Sequence, residues 1–137
     1  MSHIQIKSLK KSFGIVDAVK NINFDIDDGQ FVVLVGPSGC GKTTTLRMLA
    51  GFEDPTEGEI LIGDNVVNDI EPGKRGIGMV FQNHALFPNK TVEDNIKFGL
   101  RMKKVSDAEM EKKVEEVAEL VQIGHLLKKM PFQCSGG

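Results

Sequence analysis

An α/β fold is what the 137 residues predict, and three patterns carry the prediction. Apolar residues alternate with polar ones near the start, a β-branched run leads through a glycine-rich loop into a helix-compatible segment, and an amphipathic stripe recurs at helical spacing near the end.

Ile4 and Ile6, then Ile22, Phe24 and Ile26, stand two apart with polar residues between them, the period of strands covered on one face. Asp28-Gly29 turns the chain. The run Phe31-Val32-Val33-Leu34-Val35 does not alternate, which predicts a strand covered on both faces at the centre of the sheet. Lys42 to Ala50 contains no Pro and precedes Gly51, a residue suited to a left-handed C-cap, so a helix is predicted there. After the turn signals Asp54-Pro55 and Glu57-Gly58, the strand-like Ile60-Leu61-Ile62, the Gly63-Asp64-Asn65 turn and Val66-Val67 predict a small hairpin. Pro72-Gly73 opens another connection, and Ile77 to Phe81 predicts a second buried strand ending at Gln82. From Ser106, with Glu109 placed for a capping box, a helix is predicted whose Met110, Val114, Val117, Ala118 and Val121 form one buried stripe. Its Glu and Lys residues make the solvated face, and Gly124 suits its end.

Composition narrows the function. With 40% apolar and 26% charged residues, and 17 basic against 19 acidic side chains, the chain reads as one soluble domain without the electrostatic footprint of a nucleic-acid or anionic-membrane binder. No apolar stretch is long enough for a membrane span and the start lacks a signal pattern, so a cytosolic protein is expected. Cys40 and Cys134 are too few for a disulfide framework. His3, His84 and His125 are scattered, without zinc-ligand spacing, and receive no role.

The chemistry lies between the predicted central strand and the first helix, where Gly36 to Thr43 reads GPSGCGKT and satisfies G-x-x-x-x-G-K-[ST]. Glycines let main-chain N–H groups line a concavity, and the positive end of the following helix completes an anion nest suited to a triphosphate. Lys42 reaches the outer phosphates as a point charge, Thr43 offers its hydroxyl to Mg2+, and Thr44 suits the inner phosphate. Cys40 lies inside the nest, where bound nucleotide shields it from alkylation. Gln82, about forty residues after Lys42 and at a predicted strand end, suits a watch on the γ-phosphate; alone, such an amide is more often a surface residue, and only the companion loop raises it.

With these residues in view, the whole chain resembles the nucleotide-binding subunits of ABC transporters. GPSGCGKTT, Gly36 to Thr44, matches the family's phosphate loop; MVFQNHALFP, Met79 to Pro88, resembles its glutamine loop; TVEDNIKFGL, Thr91 to Leu100, and the helical stretch behind it follow the family pattern. Phe13, in KSFG, matches the aromatic that the family stacks on adenine, core packing being the other reading of a lone aromatic. The resemblance implies a P-loop NTPase (ABC ATPase) fold, with an N-terminal antiparallel β subdomain and phosphate-loop core over 1–87 and part of the α-helical subdomain over 88–137. The ligands it implies are ATP, held by Phe13, Gly36, Pro37, Ser38, Gly39, Cys40, Gly41, Lys42, Thr43 and Thr44, and Mg2+, held by Thr43 and Gln82. Lys42 and Gln82 are the implied catalytic residues of an ATP hydrolase.

The segment from Val66 to Pro88 is especially similar to importer ATPases that serve sugars and glycerol phosphates, with polyamine and iron importers as near neighbours. A family member of that kind works as a homodimer beneath transmembrane permease subunits, cytoplasmic and peripheral on the inner face of the membrane, without nucleic acid. Ala85, Leu86 and Phe87 resemble the surface that receives a permease helix; packing under a local turn is the alternative.

The sequence also departs from the family. The signature LSGGQ reads here as Cys134-Ser135-Gly136-Gly137 and goes no further, so Ser135, Gly136 and Gly137 are the implied contacts to a partner's ATP. No run of four apolar residues closes on Asp-Glu, and no later switch histidine follows. An incomplete central sheet is expected, and nucleotide binding with little or no turnover, or an inert truncated module. DNA-repair and chromosome-organising relatives are disfavoured, since they carry long coiled coils after the glutamine loop and no sustained heptads occur here.

Overall fold

The computed structural model describes residues 3–82 and 85–134. They form two compact units, one running to Met79 and the other beginning at Val80.

The first unit is built on an antiparallel sheet of order β2-β1-β3-β4. Strands β1 (Ile4–Phe13) and β2 (Val16–Ile26) form a long hairpin with Ile4 opposite Ile26 and Ile6 opposite Phe24, after which the register slips to pair Leu9 with Ile22. The slip explains why the alternation of Ile4 and Ile6 resumes at Leu9. Ser8 takes φ 49°, its N–H donates to Asn23 Oδ1 at 2.6 Å, and this bulge returns Leu9 to the buried face beside Ile6. Strand β3 (Glu57–Ile62) covers the other edge of β1, and β4 (Asn65–Val66) completes the small hairpin expected from Gly63-Asp64-Asn65. Gly58 is required opposite the bulge, because a Cβ there would stand 2.4 Å from the Ser8 carbonyl oxygen.

Helix α1 (Lys42–Ala50) lies on this sheet and matches its predicted bounds. Met48 and Leu49 join Ile6, Leu9, Val19, Ile60 and Val67 in one core, each such buried side chain contributing roughly 1.5–3 kcal/mol. Gly51 ends the helix at φ 82° with its N–H on Met48 O at 3.2 Å, the left-handed cap expected.

Two expected strands do not form. Phe31 to Val35 pairs with no strand, and Phe31 and Val35 are 91% and 88% exposed where burial on both faces was expected. Ile77 to Phe81 is likewise unpaired, with Val80 94% exposed. A strand at the centre of a sheet needs a neighbour on each edge for its N–H and C=O groups, and the strands among the described residues are already engaged in the antiparallel sheet.

The second unit contains α2 (Val92–Met102) and α3 (Asp107–Leu120), packed on each other, and no helix of the described residues is long and apolar enough to cross a membrane. The motif TVEDN accounts for the start of α2 residue by residue. Thr91 Oγ1 accepts the Asp94 N–H at 3.1 Å and donates to Asp94 Oδ2 at 3.0 Å. Glu93 sits between the ammonium groups of Lys97 (2.6 Å) and Lys128 (2.5 Å). Asn95 donates to the carbonyls of Phe87, Lys90 and Thr91 and accepts the Phe87 N–H, stitching the preceding loop to the helix. The N–H groups of Val92 and Glu93 donate to the carbonyls of Lys129 and Leu127, so the chain after α3 crosses the helix start.

Helix α3 opens at Ser106, whose Oγ accepts the Glu109 N–H at 3.4 Å. The Glu109 carboxylate pairs forward with Lys113 at 2.7 Å, leaving the expected box half made. Met110, Val114 and Ala118 are buried as expected, whereas Val117 and Val121 are 43% and 53% exposed. The covering surface meets only the row spaced by four; Val117 stands at the edge of the stripe, and Val121 is the C-cap, because α3 stops before Gly124.

Candidate functional site

The glycine-rich loop is shaped by what presses on it. Gly39 and Gly41 adopt φ 79° and 90°, conformations that L side chains rarely take. A Cβ on Gly41 would lie 2.3 Å from Ala18 O and 3.1 Å from Val19 Cγ2, so β2 runs directly against the last turn of the loop. Thr45, buried at the base of α1, holds the Gly41 carbonyl with both its N–H (2.8 Å) and its Oγ1 (2.9 Å). Thr45 carried no signal in the sequence, since the motif stops at Thr43 and a third threonine reads as helix filler.

Gly41 caps α1 without a side chain, which leaves the N–H groups of Lys42, Thr43 and Thr44 without an intrahelical acceptor. Three first-turn donors and the positive helix end therefore converge on the loop. The Lys42 ammonium folds back across it and donates to Gly36 O and Pro37 O, both at 2.7 Å, and to Cys40 Sγ at 3.4 Å. Cys40 is exposed, and a Cβ on Gly36 would stand 2.7 Å from its sulfur. The loop borders a cleft of about 740 Å3 that is also lined by Asp17 to Lys20 of β2 and Val33 to Val35. Thr43 is exposed at the helix start.

Phe13 ends β1, paired with Val16 next to the Ser12–Asp17 pair, and Asp17 is itself a wall residue of the cleft. The ring is half-exposed, outside the core cluster. The Lys11 ammonium covers it at 4.9 Å, held there by Glu53 at 2.6 Å and Asp54 O at 2.7 Å.

Gln82 belongs to the second unit, exposed in a turn instead of at the strand end expected. Phe87 packs on Phe98 in a tilted pair with ring centroids 4.6 Å apart, while Leu86 is 53% exposed, so of these two residues one packs locally and one faces solvent. Ser135, Gly136 and Gly137 lie outside the described residues, as does His84. The most telling residue missed by sequence is Arg75, 6% exposed, whose guanidinium donates to four main-chain carbonyls. Burial lowers its pKa and the Asp54 charge opposes that shift. Nothing in the string Gly73-Lys74-Arg75-Gly76 distinguishes a buried arginine from a solvated one.

The donor set fits a polyphosphate: uncapped first-turn amides, glycines at positive φ that bend the loop, and an ammonium within it. Residues 19–137 match the ABC transporter family. The chain is 51% identical, over its full length, to the maltose/maltodextrin import ATP-binding protein MalK of Vibrio parahaemolyticus and to that of Mannheimia succiniciproducens, spanning 37% of each relative's length. Among solved structures it superposes on the ATP-binding cassette MJ0796 bound to ADP and Pi with TM-score 0.86 at 30% identity, over 96% of this chain and 63% of that one. A dimeric structure of MJ0796, a bacterial ABC transporter cassette, gives TM-score 0.87 at 31% identity, over 97% of this chain and 63% of that one.

Proposed function

This chain belongs to the ABC transporter family, and on that footing we propose that its phosphate loop captures Mg-ATP to drive import of a sugar or related solute. The observation that supports this reading best is the uncapped start of α1 facing a loop already gathered by the Lys42 ammonium.

An ammonium has three protons, here shared among two carbonyls and a thiol, and sulfur is the weakest acceptor of the three. A phosphate oxygen therefore displaces Cys40 Sγ and leaves the two carbonyl bonds in place. The first-turn amides of Lys42, Thr43 and Thr44 take the remaining phosphate oxygens, and the half-exposed Phe13 ring receives the base. Thr43, exposed at the start of α1, is the side chain of the first unit that would hold Mg2+, which when bound would neutralise charge on the outer phosphates. Within these 137 residues no apolar run closes on an Asp-Glu pair. Phosphoryl transfer depends on a positioned water and on charge stabilisation, so these residues by themselves bind nucleotide far better than they cleave it.

Similarity to the MalK proteins supports a subunit that sits on the inner face of the membrane under permease subunits and pairs with a second ATP-binding subunit. The deciding experiment is ATP affinity and phosphate release measured on this chain and on Lys42→Ala. Binding lost in the variant is the expected result. Equal affinity in both would overturn the loop as the nucleotide site, and turnover matching that of a full-length relative would overturn the catalytic shortfall.

A further inference from the structure

Arg75 grips both ends of a connection that the phosphate loop depends on. Its Nη1 donates to Met48 O at 2.8 Å and Leu49 O at 3.1 Å, in the last turn of α1, where helix carbonyls have no intrahelical donor. Its Nε and Nη2 donate to Ile70 O at 2.7 Å and Asn68 O at 2.9 Å. Asn68 in turn is bolted to β3, accepting the Ile60 N–H and donating to Gly58 O, both at 2.9 Å. A continuous set of hydrogen bonds thus runs from β3 through Asn68 and Arg75 to the rear of α1. Gly51 makes room for it: a Cβ there would lie 2.7 Å from Arg75 Nε.

The helix so held has nine residues, a rod of about 13 Å whose front turn supplies the phosphate-binding amides. A rod this short moves as one piece, so freeing its rear end lets its front turn tilt. An apolar side chain of equal volume would fill the space, take this donor from the carbonyls of Leu49, Asn68 and Ile70, and leave Met48 O with the Gly51 N–H alone. A cation at a helix C-terminus also favours the carbonyl end electrostatically.

We propose that Arg75 is a positioning residue for triphosphate capture, fixing α1 to the sheet so that the N–H groups of Lys42 to Thr44 hold their aim. The inference rests on reading that turn as the phosphate site. It separates the two ends of the nucleotide: phosphate binding depends on Arg75, and binding of the base does not.

The test measures the affinity of the whole chain, of Arg75→Met and of Lys42→Ala for ATP and for adenosine, well below each protein's melting temperature. Arg75→Met is expected to bind ATP about tenfold more weakly or worse, with adenosine unchanged, since small misplacements remote from a site cost that much or more. Should Arg75→Met fail to fold, Arg75→Lys, which keeps the charge and loses the fork, is read by the same criterion. A lowered melting temperature with ATP affinity unchanged would overturn the proposal and leave Arg75 merely structural. If the unaltered chain holds ATP no better than Lys42→Ala, the reading of the loop falls and this inference falls with it.

Discussion

At position 41 a single hydrogen in place of a side chain decides whether the loop can exist. Gly41→Ala forces an L residue to φ 90° and drives its Cβ to 2.3 Å from Ala18 O, a main-chain atom that cannot step aside without moving β2. A destabilisation of about 2 kcal/mol or more is expected, together with loss of ATP binding, and a thermal melt beside a binding titration checks both. Cys40 gives a second residue-scale outcome. Its sulfur is exposed and 3.4 Å from the Lys42 ammonium, so a nucleotide that takes over the ammonium also covers the thiol. Alkylation of Cys40 is expected to slow in Mg-ATP; equal labelling rates with and without it would place the nucleotide elsewhere. Gly36, Gly39, Gly41 and Lys42 were singled out in the sequence by the spacing of the motif, although what forbids a side chain at Gly41 is the Ala18 carbonyl oxygen of β2. Arg75 and Thr45 were not, since their partners lie on other elements or one turn away and leave no spacing signal.

Among the elements, α2 shows how much of a short motif is structural. Thr91→Ala removes the acceptor for the Asp94 N–H and is expected to cost about 1 kcal/mol, read as a shift in urea midpoint. Glu93 carries a pH dependence of known sign. Hydrogen bonds from Lys128 and then Lys97 hold its carboxyl at about 2, below the usual 4.5. A carboxylate depressed on folding contributes stability that is fully present above pH 4.5 and is lost as the pH falls towards 2. Glu93→Gln should flatten that part of the acid titration of helix content, and an unchanged acid limb would show that the Lys97–Glu93–Lys128 cluster adds nothing to the fold. The bounds of α1 and the start of α3 were legible from caps and glycines. The exposure of Val117 and Val121 was not, because periodicity defines a stripe and only the neighbouring helix decides how much of it is covered.

For the molecule as a whole, the run from Phe31 to Val35 poses the sharpest contrast. Its composition suits the middle of a parallel sheet, yet it stands unpaired and exposed beside the phosphate loop. Its amides are expected to exchange with solvent rapidly while those of Ile6 and Leu9, inside the sheet, are protected; hydrogen exchange resolved by residue reads both. Protection of 31–35 equal to that of β1 would mean that these residues find a sheet partner. What the sequence by itself determined is whatever depends on neighbours along the chain: the hairpin turn at Gly63-Asp64-Asn65, the bounds of α1, and the glycine-rich loop that leads into it. Tertiary structure alone decided the bulge at Ser8, the buried guanidinium of Arg75 and the fate of the two apolar runs. Each of these depends on which backbone groups and side chains are brought alongside from far away in the chain, and a hydrogen bond or a buried face exists only once both partners are in place.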